Sequence, residues 1–257
     1  MTILRFFPSS LSIILHSRGI WPFAVILFLF TILPGNSIGC APADLFIIAV
    51  SVPFAFIAQA SIVHSTQQDS VGVRITLRDS WRKGTSSLAS LLLLIIPFTV
   101  FVILNALLYR MVLSLFGLQH SSWWAWIMRF LVLIPFGLAF FSFAVSSIVI
   151  FRINVWKATL LSFMVATNNL PRIVLIGVPF SLFRISFSTL ATAITGYPLS
   201  PNFPQLHVPF PWAMAPLVIS IAALVLLAAW EPATYTLAFL HFIERVPYPW
   251  ISDEAAA

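Results

Sequence analysis

Apolar residues along this chain gather in long runs instead of alternating with polar ones. A helix rises about 1.5 Å per residue, so about 20 apolar residues cross a hydrocarbon core about 30 Å thick. Six runs approach or exceed that length, at 20–33, 43–63, 88–110, 123–150, 172–194 and 212–230, the first being the shortest. Lipid cannot satisfy backbone amides and carbonyls, so runs of this kind predict helices; barrel strands are about half as long and alternate. The expected fold class is an all-α integral membrane protein with about six transmembrane helices, one transmembrane domain over 1–257.

The pattern also repeats. Val52-Pro53-Phe54 answers Ile134-Pro135-Phe136, and Ile96-Pro97-Phe98 answers Val178-Pro179-Phe180, with both prolines displaced by 82 residues (135 − 53 and 179 − 97). The same shift sets Ser80 against Ser162, Thr85 against Thr167 and Gly84 against Ala166. Ser86-Ser87 answers Asn168-Asn169, and both pairs are good N-cap types ahead of a span. A parallel duplicated hairpin follows, copy one at 43–110 and copy two at 123–194, flanked by 1–42 and 212–257. Because each copy crosses and returns in the same sense, the copies relate by an axis along the membrane normal. The four flanking prolines are expected inside four spans at corresponding depths, where each removes an amide bond and kinks its helix.

The connections predict amphipathic helices lying on one membrane face. Within 64–87, Arg74, Arg78 and Arg82 stand at i, i+4 and i+8 and form one stripe, while Leu77, Trp81 and Leu88 mark another face. Asp79 and Lys83 are an i, i+4 pair in the favourable order. Residues 1–17 read as an interfacial lead-in interrupted by Pro8-Ser9-Ser10, and Glu231-Pro232 is expected to close the last span ahead of a further apolar face over 233–245. His120 to Trp126 reads as an interfacial aromatic anchor, and the prolines between 198 and 211 predict an extended connection.

Composition agrees with this pattern. Only 8% of residues are charged and 60% are hydrophobic, with a mean hydropathy of +1.03, whereas soluble domains carry about 25% charge. The net charge of +6 points to nucleic acid only in a soluble chain, and here its placement decides otherwise. Arg5, Arg18, Arg74, Arg78, Arg82, Lys83, Arg152, Lys157, Arg172 and Arg245 all fall on one side of the expected topology, against Arg110 and Arg129 on the other. The positive-inside rule then makes both termini cytoplasmic, in a bacterial inner membrane, with the basic face toward anionic lipid head groups. The lone Cys40 forms no internal disulfide.

Familiar chemistry is sparse. The chain carries no glycine-rich phosphate loop, no HExxH and no nucleophile elbow, so no catalytic residue is expected and the chain reads as a non-enzyme. His16, His64, His120, His207 and His241 are scattered, and none pairs with another histidine at helical spacing, so neither a metal nor another cofactor is expected. Arg184 is the misplaced charge, twelve residues beyond Arg172 and so about 18 Å along a helix, near mid-membrane. Glu231 is its expected acidic partner, although a direct pair needs tilt or kinking because Glu231 lies at the end of its span. The pair reads as a structural ion pair or an anionic-ligand site, and Arg184→Leu is expected to leave folding intact while abolishing such binding. Arg74, Arg78, Arg82 and Lys83 are the expected lipid head-group or partner contacts.

The segments LRDSWRKGTSSL and WKATLLSFMVATNNL, with the closing AAWEPATYTLAFLHFIER, resemble the membrane domain found ahead of some bacterial glycerophosphodiester phosphodiesterases and its free-standing relatives. The resemblance implies a six-helix membrane fold; the soluble catalytic barrel of those enzymes is missing here, so no catalytic residue carries over. The expected function is that of a non-enzymatic membrane subunit or scaffold acting through lipids or a larger membrane complex. The alternatives are a permease or transmembrane half of a transporter, and a lipid-active membrane enzyme.

Overall fold

A computed structural model describes residues 5–17, 19–32, 42–115, 134–195 and 210–243. The tryptophan-rich segment 120–126, the proline-rich connection 198–209, Cys40 and Arg245 lie outside these residues. The described residues form nine helices: α1 (Phe6–His16), α2 (Trp21–Ile32), α3 (Pro42–Ser70), α4 (Leu77–Leu93), α5 (Ile95–Leu115), α6 (Ile134–Phe151), α7 (Val155–Asn168), α8 (Leu170–Thr195) and α9 (Phe210–Ile243). By length and composition α3, α5, α6 and α9 can cross a membrane, and the number rises to six if each of the bent pairs α1–α2 and α7–α8 is one span.

At the centre stands α9, with α1, α2, α3, α6 and α8 packed around it. Its stretch from Glu231 to Thr236 is buried on every side, and the helix passes through Glu231-Pro232 without the expected break. Proline withdraws one amide bond, but tertiary packing on all faces holds the turn together, and one turn on the Thr236 hydroxyl donates to the Pro232 carbonyl, 2.8 Å away. Likewise Pro8 does not interrupt α1, because it falls in the first turn, where its missing N–H has no partner to lose. Instead of lying free, α1 is bound to α9. The Ser10 and Thr234 hydroxyls pair at 2.7 Å, the Trp230 indole donates to Ser10 Oγ at 3.1 Å, and Phe6 meets the Phe242 ring at 6.2 Å.

Two helix hairpins flank this centre, α4 folded on α3 and α7 folded on α6. Small residues make the first approach close. Ser61 Oγ donates to the Ser80 carbonyl at 3.0 Å, Ser65 and Ser80 share a bond of 2.9 Å, and a Cβ on Gly84 would stand 2.6 Å from the Ile57 carbonyl oxygen. In the second hairpin, Ser162 donates its hydroxyl to the Phe140 carbonyl and Ala166 is fully buried.

The start of α4 is fixed locally. Gly72 turns the chain out of α3 at φ 77°, a left-handed conformation natural to glycine. Thr76 then caps α4: its hydroxyl accepts from the Asp79 amide at 3.2 Å, and Asp79 Oδ2 accepts from the Thr76 amide at 3.3 Å. Arg74 therefore precedes the helix, and the expected stripe of Arg74, Arg78 and Arg82 is not formed. Trp81 stacks on Phe23 of α2 at 6.1 Å.

The two hairpins break at different points. Ser86 and Ser87, expected as caps, lie inside α4 with their hydroxyls on the Lys83 carbonyl at 2.9 and 3.1 Å. The α4–α5 break comes at Leu94, because Pro97 cannot donate to the Leu93 carbonyl and its ring crowds it. In the second hairpin Pro171 stands where the 82-residue shift puts Ala89 in the first, and the chain turns by 93° at Asn169 between α7 and α8. Pro97 thus sits in the first turn of α5 while Pro179 lies well inside α8, so the two occupy different positions along their helices.

Candidate functional site

The most distinctive polar feature is a cleft of about 610 Å³ where the C-terminal ends of α3 and α6 meet α4. One face of α4 lines it, through Asp79, Arg82, Lys83, Ser86, Ser87 and Ser90, a spacing that places six side chains on a single stripe. Across from them stand His64 of α3 and Arg152, just beyond α6. Three cations oppose one carboxylate, and Asp79 is already engaged, with Oδ2 accepting from the Thr76 hydroxyl at 2.6 Å. That hydrogen bond, with the one from the Thr76 amide, holds the Asp79 carboxyl below its usual range. Burial, and then the nearby Arg152 charge, lowers the Lys83 ammonium below its ordinary value. None of the three cations forms an ion pair with a described carboxylate.

Two local features are costly unless the cleft has use for them. His64 Nδ1 is shut off from solvent and has no hydrogen-bond partner. Arg152 adopts φ 55°, a left-handed backbone that costs a residue with a Cβ about 1–2 kcal/mol, where a helix ordinarily ends on glycine. Its amide still caps α6 by donating to the Ile148 carbonyl at 3.1 Å.

Of the expected head-group contacts, Arg82 and Lys83 enter this cleft, whereas Arg74 and Arg78 are exposed and outside it. His64 and Arg152 join them unforeseen. The α4 half of the site was readable from the i, i+3, i+4, i+7 spacing of polar residues after Asp79; the pairing with α3 and α6 is tertiary and leaves no local signal.

Arg184 and Glu231 do meet, Arg184 Nη2 donating to Glu231 Oε2 between α8 and α9. The carboxylate side chain is 7% exposed and the guanidinium side chain 50%, so Glu231 is the buried member. The continuity of α9 through Pro232 explains the contact, since Glu231 lies within the helix instead of at its end. Nearby, Tyr235 Oη and Ser181 Oγ are buried without partners, and Gly177 leaves room for the tyrosine: a Cβ there would stand 2.8 Å from Tyr235 Oη.

A third feature is α5. Only 6% of its candidate span is buried, against 61% for α3 and α6. Its first turns pack through Phe98 on Phe141 at 4.9 Å and Phe101 on Phe140 at 4.4 Å, and Leu104, Leu107, Leu108 and Met111 are open. Asn105 occupies the middle of this apolar helix, with one amide hydrogen on the Phe101 carbonyl at 2.9 Å.

Among the described residues no group of three or more His, Cys, Asp or Glu is arranged to hold a metal ion. Comparison with protein-family models, with curated proteins and with solved structures finds no match to this chain.

Proposed function

We propose that this chain is a non-enzymatic polytopic membrane subunit that works by docking a transmembrane helix of a partner protein on α5. The observation that carries the reading is Asn105 at the centre of an apolar, span-length helix that is mostly uncovered among the described residues. Lipid tails cannot satisfy the remaining amide and carbonyl groups of that side chain, whereas a facing helix can, and such polar residues join membrane helices. Mild-detergent purification from the native membrane, with identification of what is bound, tests it. A stoichiometric membrane protein supports the reading; a partner-free, monodisperse chain that moves a solute in liposomes makes it a permease instead.

The orientation in this reading has both termini in the cytoplasm of a bacterial inner membrane, supported by the one-sided placement of the basic residues. A parallel duplication of the α3–α5 and α6–α8 regions is supported by Ser80 and Ser162, which are 82 positions apart and each bond to the long helix preceding their own. The two short helices α4 and α7 then lie as amphipathic elements on the cytoplasmic face. The likeness to phosphodiesterase membrane domains belongs to the same proposal and rests on sequence segments alone.

A further inference from the structure

We infer that the cleft between α3, α4 and α6 is a binding site for a phosphomonoester dianion, held by Arg82, Lys83 and Arg152. The formal charge of the lining is +2, three cations against Asp79 with His64 neutral, which matches the two negative charges of a monoester and exceeds the one of a diester. Guanidinium groups suit phosphate oxygens by presenting parallel donors, and the Ser90 hydroxyl also lines the cleft. His64 adds a further polar side chain to the lining.

Arg152 is the second, independent observation. A left-handed position at the end of α6 favours glycine, yet an arginine is held there with its side chain on the cleft. Strain of this kind persists where the side chain serves a purpose that the backbone opposes. Burial and the mutual proximity of Lys83 and Arg152 press in the same direction, since like charges close together are relieved by an anion. The cleft and α5 lie on opposite ends of the α4–α5 connection, so loss of one function leaves the other testable.

The same dianion is presented by a lipid, as phosphatidic acid, or in solution, as inorganic phosphate. The full-length chain is reconstituted in phosphatidylcholine nanodiscs alone, with added phosphatidic acid, or with added phosphatidylglycerol, and bound lipid is counted by native mass spectrometry. Inorganic phosphate is titrated against the phosphatidylcholine sample. Arg152→Gly and Arg82→Ala are compared with wild type, Arg152→Gly serving as the variant that relaxes the backbone. Retention of phosphatidic acid over phosphatidylglycerol, weakened at least about tenfold in both variants, supports a lipid source. Phosphate binding weakened in the same way supports a soluble source. Binding of neither ligand, equal binding by the variants, or phosphatidylglycerol held as tightly as phosphatidic acid overturns the inference.

Discussion

At the level of single residues, the Arg184–Glu231 pair changes what removing the arginine must do. Glu231 is buried and Arg184 is half exposed, so Arg184→Leu strands a carboxylate in an apolar interior. Breaking one side of a buried pair costs about 3–5 kcal/mol, and the exposure of Arg184 places this case toward the lower end. Arg184→Leu is therefore expected to lower thermal stability in detergent, contrary to the expectation that folding survives it. The Arg184→Leu/Glu231→Leu double variant should recover much of the loss, and strict additivity of the two single losses would remove the pair from the account. Close packing gives a second prediction. A Cβ at Gly84 meets the Ile57 carbonyl oxygen at 2.6 Å and one at Gly177 runs into Pro135 Cβ, whereas at Gly19 nothing lies within 4 Å. Gly84→Ala and Gly177→Ala should each cost about 1–3 kcal/mol in unfolding experiments while Gly19→Ala leaves packing undisturbed.

At the level of elements, the α4 cap links helix stability to acidity. Asp79 is held below the ordinary aspartate range by the Thr76 hydroxyl first and the Thr76 amide second. A depressed carboxylate contributes stability above its unfolded value, about pH 4, and that contribution is lost as pH falls through its lower folded value. Hydrogen-exchange protection over the first turn of α4, taken relative to the intrinsic rate at each pH, should therefore fall on acidification below about pH 4, and Thr76→Ala should flatten that response. Protection that is insensitive to pH in wild type contradicts the cap. The long apolar runs were legible because their length is itself the signal, and four of the expected spans stand as long helices. Boundaries were less so. Thr76-x-x-Asp79 is a local capping signal that outranks the arginine spacing, which is why Arg74 fell outside α4. Pro232 was read as a stop, yet burial around Glu231 to Thr236 carries α9 through it, a tertiary effect that no local spacing records. The same holds for the cleft, whose α4 stripe is periodic but whose His64 and Arg152 arrive from residues far apart in the chain.

At the level of the whole molecule, a packed centre around α9 contrasts with α5, which leaves the bundle after its first turns. The basic cleft and the Arg184–Glu231 pair lie on other elements, so the proposed anion binding, internal stability and the proposed partner docking are separable. Reporter fusions at either terminus should report the same, cytoplasmic side, and a split result would overturn the orientation. The most direct measurement of the subunit reading is photocrosslinking in native membranes from Leu108, exposed and one turn from Asn105 on the same face of α5. The expected result is a discrete protein adduct that Asn105→Leu weakens roughly threefold or more, the scale of an interhelical hydrogen bond in a membrane. Adducts to lipid alone, or a protein adduct unaffected by Asn105→Leu, would contradict it.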